Sequence, residues 1–131
     1  MKLLLDTHVW LWSLLEPELL AAPAIGALTK PNCEIWLSPL SSWELLSALE
    51  RGRIKSDRRP LEYVDSLLRG LPAREAAFTH RVVLESRRLE WKHKDPVDRF
   101  LVATARIYDL TLVTADREIL RAKPCAVLAA A

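Results

Sequence analysis

The sequence has little cysteine and no long hydrophobic run. Its two cysteines, Cys33 and Cys125, stand far apart in a chain of 131 residues, without the close Cys or Cys/His spacing of zinc sites and redox pairs. No apolar run approaches the roughly 18 residues of a membrane span. The opening MKLLL runs straight into Asp6, unlike a secretory signal. We therefore expect free thiols in a cytosolic (cytoplasmic) protein without a membrane segment.

A strong charge of one sign is also absent. Lys and Arg number 19 against 17 Asp and Glu, a net charge of +2, which is too small to indicate nucleic-acid binding by itself. Two local basic stretches stand out, residues 51–59 and residues 87–94. From their charge alone, solvated helix ends and loops are the better explanation.

What is present indicates an α/β protein. Half of the residues are apolar and 27% are charged, a globular balance that predicts one domain over residues 1–131 with a core of its own. Strands are predicted at 2–5, 33–37 and 110–114, and more weakly at 72–78 and 126–128. Helices are predicted at 9–15, 18–28, 41 to about 52, 60–71, 79–91, 96–110 and 116–121. This alternation predicts a three-layer α/β/α fold with a central, mainly parallel sheet.

Five acidic residues stand where a hydrophobic segment ends or a helix begins. They are Asp6, Glu44, Asp95, Asp98 and Asp116. Each alone has a structural explanation: Asp6, Asp95 and Asp116 as helix caps, Glu44 as the end of a Ser41-x-x-Glu44 capping box, and Asp98 through the helix dipole. The sequence leaves these capping interpretations open.

Together the five acids favour a metal site. Strand-to-helix connections of a parallel sheet open at its carboxyl edge, where ligands bind. Carboxylates gathered there repel one another unless a cation compensates. A hard ion with oxygen ligands, Mg²⁺ or Mn²⁺, is the natural partner, and such an ion suits phosphodiester hydrolysis.

Four motifs in order then carry a family resemblance. They are LLLDTHVWLW at 3–12, SSWELL at 41–46, HKDPVDRFLVATA at 93–105 and LVTAD at 112–116. They resemble the motifs of PIN-domain ribonucleases, in particular the toxins of VapBC toxin–antitoxin pairs, over essentially the whole chain. The resemblance implies a Mg²⁺- or Mn²⁺-dependent endoribonuclease that cuts RNA, forms homodimers and is inhibited by a cognate VapB-type antitoxin.

The resemblance also assigns roles to the acids. Asp6, Asp98 and Asp116 are implied to hold the principal metal, while Glu44 completes its ligands or positions the attacking water. Asp95 lies beside this quartet as a support or a cap.

Further roles follow for nearby hydroxyls and bases. Thr114 would orient Asp116 or a metal-bound water, and Thr7 would do the same for Asp6 or serve as a helix-start hydroxyl. Arg99 would contact phosphate or pair with a neighbouring acid. Once RNA is the expected substrate, the basic stretches gain weight as phosphate contacts, with Arg58 and Arg59 as candidates.

Two histidines are given structural roles. His8 is predicted to pack or to make a local hydrogen bond. His93 could meet a phosphate when charged, but a solvated loop histidine is the preferred interpretation.

Two rival functions remain. A phosphatase or phosphotransferase of the HAD kind also carries an Asp after its first strand, but needs a second Asp two residues later, where this chain has His8. The other rival is a non-catalytic PIN-like module that binds metal or RNA without cutting. The complete quartet argues against it.

Overall fold

The sheet of the protein has five strands, all paired in parallel. The computed structural model describes residues 1–131. The strands are β1 (Lys2–Leu5), β2 (Glu34–Leu37), β3 (Arg74–Glu75), β4 (Thr111–Thr114) and β5 (Val127–Ala129). Their order across the sheet is β3-β2-β1-β4-β5, and every neighbouring pair is parallel. The predicted α/β class with a mainly parallel sheet is confirmed.

Seven α-helices connect and flank the strands. They are α1 (Thr7–Leu15), α2 (Ala22–Leu28), α3 (Pro39–Glu50), α4 (Pro60–Gly70), α5 (His80–Arg88), α6 (Pro96–Tyr108) and α7 (Arg117–Ala122). None of them combines the length and apolar character that crossing a membrane requires.

The helix predicted over residues 18–28 is broken. A short 3-10 turn over Pro17–Leu19 comes first, and α2 starts only at Ala22. Pro23 lies in the first turn of α2, where its missing N–H costs nothing, whereas inside a continuous helix it would remove a hydrogen bond. The prediction was wrong here because it continued the helical pattern through this proline.

The core lies on both faces of the sheet. Leu3, Leu4 and Leu5 of β1 have no exposed surface, and they alternate between two clusters. Leu3 and Leu5 pack with residues of α1 to α4, and Leu4 packs with residues of α6 and α7, while α5 lies against α6. Since successive side chains of a strand point to opposite faces, three consecutive buried leucines in β1 require a helical layer on each side.

The central strand stands at the reversal of strand order. From β1 the chain builds β2 and β3 on one side, then returns to place β4 and β5 on the other. The carboxyl ends of β1 and β4 are therefore neighbours, and the N–H of Asp6 extends their ladder by donating to the carbonyl of Val113 at 3.1 Å. Such a reversal leaves a crevice at the carboxyl edge, which is where the sequence predicts the acids to meet.

Candidate metal centre

The five acids singled out by the sequence line one cleft at the carboxyl edge of the sheet. We call it the acid cleft. It has a volume of about 400 Å³, and its lining comprises Asp6, His8, Trp12, Glu44, Asp95, Asp98, Ala115 and Asp116. Four separate segments of the chain supply the carboxylates, so only the folded state brings them together.

Asp6 stands at the N-cap position of α1, but its carboxylate does not cap the helix. Instead Oδ2 of Asp6 accepts a 2.7 Å hydrogen bond from the hydroxyl of Thr114. The same hydroxyl oxygen accepts from the backbone N–H of Asp116 at 3.0 Å. The capping interpretation of Asp6 was therefore wrong. The role predicted for Thr114 changes as well, because the side chain that its hydroxyl orients is that of Asp6.

The capping box predicted at Ser41 does not form. The N-cap of α3 is Ser38, whose hydroxyl accepts from the N–H of Leu40 at 3.1 Å, and Ser41 is buried inside the helix. Pro39 explains the shift, since proline favours the first helical position and starts α3 before the predicted box.

Because α3 starts early, Glu44 lies in its second turn, away from any capping geometry. Its Oε1 accepts a 2.6 Å hydrogen bond from the hydroxyl of Thr7, which is itself 6% exposed. Thr7 therefore orients Glu44. One of its two predicted roles was to orient Asp6, and the hydrogen bond does not go to that residue. This bond leaves the other carboxylate oxygen of Glu44 free for the acid cleft.

Two capping predictions are confirmed. Oδ1 of Asp95 accepts from the N–H of Val97 at 2.9 Å and caps α6. Oδ1 of Asp116 accepts from the N–H groups of Glu118 and Ile119, at 2.9 and 3.1 Å, and caps α7. Each carboxylate keeps a second oxygen, so capping a helix and lining the acid cleft are compatible roles.

The acid cleft makes ionisation of Asp98 unfavourable. Burial, followed by the charges of the four other acids of the cleft, raises the pKa of Asp98 from 3.8 to about 8. Burial also raises the pKa of Glu44, with further increases from Asp6 and Asp95, while the hydrogen bond from Thr7 acts in the opposite direction. Without a compensating cation, the cleft would carry a proton at Asp98 near neutral pH.

His93 lies close to the acids of the cleft, a position that the sequence did not predict. Its side chain is only 11% exposed, and Nε2 lies 3.4 Å from Oδ2 of Asp98, 3.8 Å from Oδ2 of Asp116 and 3.3 Å from Oε2 of Glu118. Nδ1 accepts from the N–H of Asp95 at 3.0 Å, so the neutral ring carries its proton on Nε2. The solvated loop interpretation was wrong. Its position two residues before Asp95, in the same loop, was the available signal.

One protein family matches nearly the whole chain. A model of the PIN domain family matches residues 3–123. The chain belongs to the PIN domain family. The resemblance found in the four motifs is confirmed.

Solved structures share the fold of this PIN domain. A chain of the VapBC2 complex of Rickettsia felis, bound to a DNA fragment from its promoter, aligns with a TM-score of 0.74 at 16% identity over 100% of both chains. VapBC-1 of Haemophilus influenzae gives 0.71 at 13% over 98% of both. DNA-bound VapBC of Salmonella typhimurium gives 0.67 at 19% over 98% of both. No curated protein matches at the sequence level.

The side chains of this PIN domain fit a hard divalent ion. His93, Asp98 and Asp116 offer ligand atoms that all lie within 4.8 Å of one another. In the tautomer set by the Asp95 N–H, the Nε2–H of His93 is a donor and has no lone pair for a metal. Carboxylate oxygens are then the available ligands, which Mg²⁺ and Mn²⁺ prefer. A cation among them would relieve the repulsion that raises the pKa of Asp98.

Arg99 pairs with no neighbouring acid, although such a pair was one of the two roles predicted for it, and the other role, a phosphate contact, stays a prediction. Its guanidinium donates to the backbone carbonyls of Trp91 and Ser86, the latter at 2.6 Å, and more distantly to that of Leu89. Adjacent helix residues point in different directions, so Arg99 turns away from the cleft that its neighbour Asp98 lines. It holds the connection between α5 and α6, and no acid pairs with it.

The two predicted basic residues lie outside the acid cleft. Arg58 is exposed, donates to the hydroxyl of Ser66 at 3.0 Å and lies over the ring of Tyr63. Neither Arg58 nor Arg59 lines the acid cleft. The groove that adjoins it is lined instead by Arg51 and Arg53 from the same basic stretch.

His8 combines a predicted and an unexpected feature. Its ring packs against that of Trp12, with centroids 6.1 Å apart, as the packing interpretation predicts. It is nevertheless exposed and lines both the acid cleft and the adjoining groove.

Proposed function

We propose that this PIN domain is a metal-dependent endoribonuclease and acts as the toxin of a toxin–antitoxin pair. The observation that carries the proposal is the convergence of five carboxylates in one cleft, where burial and the charges of the four other acids raise the pKa of Asp98 to about 8. A fold that tolerates this repulsion gains no stability from it, so the arrangement is explained by what it binds. Membership of the PIN domain family makes a nuclease site the simplest explanation.

Four acids would hold Mg²⁺ or Mn²⁺. Asp6, Asp98 and Asp116 would be the principal ligands, with Glu44 completing the set or positioning the attacking water. When bound, the ion would favour ionisation of water and stabilise the charge that develops on the phosphate. In-line attack by water on the RNA phosphodiester then leaves 5′-phosphate and 3′-hydroxyl ends.

Neighbouring side chains hold these acids in place before any ligand arrives. The hydroxyl of Thr114 fixes Asp6, and that of Thr7 fixes Glu44. Both hydroxyls are buried, which keeps each hydrogen bond from exchanging readily with water. A constellation supported in this way loses less conformational entropy when it binds its ligand.

The partners follow from the same proposal. The structurally similar chains come from VapBC complexes, some of them bound to DNA, which supports a VapB-type antitoxin as partner. The homodimer proposed as the toxin's own assembly rests on the resemblance of the four motifs alone. RNA is the substrate. Contacts with phosphate supply much of the affinity for nucleic acid, so we expect RNA binding to weaken steeply with salt and the stretch containing Arg58 and Arg59 to contribute.

Cleavage of RNA is the direct test. Purified protein is incubated with single-stranded and structured RNAs in Mn²⁺, in Mg²⁺ and in EDTA, and the products are mapped by their ends. We expect cleavage with either metal, none in EDTA, and none by Asp6→Asn. Asp65→Asn is the matched control, because Asp65 is an exposed acid paired with Arg69 on α4 and should cut normally.

Two outcomes would contradict the proposal. Cleavage by Asp6→Asn at the wild-type rate would remove the acid cleft from the reaction. RNA or metal binding without cleavage of any RNA class would favour the non-catalytic PIN-like module instead.

A further inference from the structure

A second groove opens directly beside the acid cleft. It has a volume of about 310 Å³ and shares His8 and Glu44 with the acid cleft. We call it the arginine groove, because Arg51 and Arg53 line it together with Trp43, and none of these three residues lines the acid cleft. The two openings therefore form one continuous surface that is acidic at one end and basic at the other.

Trp43 stands out among the five tryptophans of the chain. Its exposed fraction is 57%, whereas Trp10 is fully buried and the other three are partly buried. It directly precedes Glu44, whose carboxylate lies in the acid cleft. An exposed indole adds nothing to the core and offers a flat apolar surface to a ligand.

The helix end positions the two arginines beside this indole. Trp43, Ser47 and Arg51 are spaced by four residues along α3 and its C-cap, so they share one face. Gly52 follows with φ of 73°, a left-handed conformation that glycine adopts without strain. This turn brings the N–H of Arg53 within 2.9 Å of the carbonyl of Ala48, and both arginines thus line the same groove.

Neither arginine is neutralised within the protein. The ion pairs of the chain involve Arg69, Arg74, Arg88, Arg106 and His93. Arg51 and Arg53 are exposed and pair with no acid. Two unpaired cations in a groove that adjoins the acid cleft would offset the repulsion between the carboxylates of the cleft and a polyanion such as RNA.

We propose that the arginine groove binds a single-stranded segment of RNA next to the scissile bond, with a base stacked on Trp43 and phosphates on Arg51 and Arg53. The inference rests on the proposed ribonuclease function. An aromatic platform combined with cations is how proteins hold single strands without sequence-specific hydrogen bonds. In a duplex the faces of the bases are already stacked on one another, so the groove selects unpaired RNA.

Binding is tested in EDTA, where the proposed reaction stops but RNA can still bind. A short fluorescein-labelled single-stranded RNA of mixed sequence is titrated by anisotropy, and the same RNA annealed to its complement is the duplex comparison. We expect Trp43→Ala to weaken binding of the single strand by roughly tenfold, within the range measured for loss of one stacked base. Trp43→Phe should retain part of the affinity.

The arginines have a separate signature. Each phosphate contact of a single strand contributes about 0.7 to the slope of log K against log salt. The double variant Arg51→Ala/Arg53→Ala should therefore flatten this slope by roughly 1.4. Arg81→Ala/Arg121→Ala is the charge-matched control, because both residues are exposed, lie outside the two basic stretches and line neither the groove nor the acid cleft, and it should change the slope less.

Tryptophan fluorescence gives an independent readout. RNA should quench the emission of the wild-type protein, and most of this quenching should disappear in Trp43→Phe. Leu61→Ala, which removes an exposed apolar side chain of α4, should leave both quenching and affinity unchanged. Circular dichroism of every variant establishes that it is folded.

The outcomes separate this inference from the proposed function. Weaker RNA binding by the Trp43 and arginine variants supports the groove even if the wild-type protein cuts no RNA in Mn²⁺. Unchanged binding, slope and quenching in these variants overturn the groove even if the wild-type protein cuts RNA well. Equal affinity for single strand and duplex also overturns it.

Discussion

The hydroxyl of Thr114 lies 2.7 Å from Oδ2 of Asp6, and this one hydrogen bond joins the carboxyl ends of β4 and β1. The same oxygen accepts the N–H of Asp116, so a single fully buried side chain sets the positions of two acids that are 110 residues apart in the chain. The geometry of the acid cleft therefore depends on a neutral residue that binds no ligand itself.

Thr114→Val should damage the site without changing the shape of the core. Valine keeps the branched side chain but removes the hydrogen bond, and supporting residues of this kind typically contribute 10- to 100-fold to metal affinity or activity. We expect a loss in about that range in Mn²⁺-dependent cleavage, measured with Mn²⁺ titration. Thr114→Ser retains the hydroxyl and should stay near wild type. Equal losses in both variants would assign the effect to packing.

The metal-free protein should become less stable as the pH rises from about 4 to about 8. Unfolded Asp98 releases its proton near its ordinary pKa of 3.8, whereas the folded protein holds it up to about 8. Between these values the folded state binds more protons, so stability is full below the lower value and is lost progressively towards the upper one. Urea denaturation in EDTA across this range measures the decline.

Asp98→Asn should flatten this pH dependence, and Mn²⁺ should restore the stability of the wild-type protein at neutral pH. Asp65→Asn changes an exposed acid and should leave the curve as it is. A wild-type curve that is flat in EDTA would contradict the raised pKa of Asp98.

Glu44→Gln should stabilise the metal-free protein while it abolishes cleavage. Burial and the neighbouring charges of Asp6 and Asp95 penalise the ionised carboxylate, and the amide removes that charge. Its carbonyl oxygen can still accept the hydrogen bond from Thr7. Thermal unfolding in EDTA measures the expected gain in stability, and the cleavage assay measures the expected loss of activity. A melting temperature below that of the wild-type protein would mean that the carboxylate of Glu44 stabilises the folded state.

Two substitutions at Asp95 distinguish the effect of the helix cap on stability from the effect of the negative charge. Asp95→Asn and Asp95→Ala both remove the negative charge, but only asparagine can replace the side-chain oxygen that accepts from Val97. Since loss of an N-cap to alanine costs about 0.5–2 kcal/mol, Asp95→Ala should be the less stable of the two by roughly that amount. Urea denaturation of the pair gives the difference, and equal stabilities would rule out an energetic role for the cap.

Arg99→Ala should weaken the fold and leave the electrostatics of RNA binding unchanged. The backbone carbonyls of Ser86, in the last turn of α5, and of Leu89 and Trp91, which follow this helix, would lose their donor, and unsatisfied buried polar groups cost about 1–3 kcal/mol each. Chemical denaturation should therefore give a lower stability, while the salt dependence of RNA binding keeps its slope. A flatter slope in this variant would return Arg99 to the phosphate contacts that the sequence suggested.

Local patterns anticipated most of the fold. The leucine-rich run at residues 2–5 became β1, and the segment at 110–114 became β4 within one residue, because a buried parallel strand needs apolar side chains on both faces. Prolines account for two of the errors. Pro23 delayed α2, and Pro39 advanced α3 and so removed the predicted capping box.

Local patterns also indicated in part which acids line the acid cleft. Acids placed just after strands of a parallel sheet must lie near one edge, whatever their partners are. Their hydrogen bonds were not predictable, because Thr7 and Glu44, or Thr114 and Asp6, are brought together by the folding of distant segments. His93 was missed because no strand or helix pattern indicates where a loop side chain points.

The sequence was sufficient for the family, the parallel sheet and the set of acids, because these depend on residue type, periodicity and chain order. Folding was needed to distinguish Arg51 and Arg53 from Arg58 and Arg59, which belong to the same basic stretch. It was also needed to direct Arg99 away from the site that Asp98 enters. Local spacing shows which side chains share a helix face, but what that face meets depends on the packing of segments far apart in the chain.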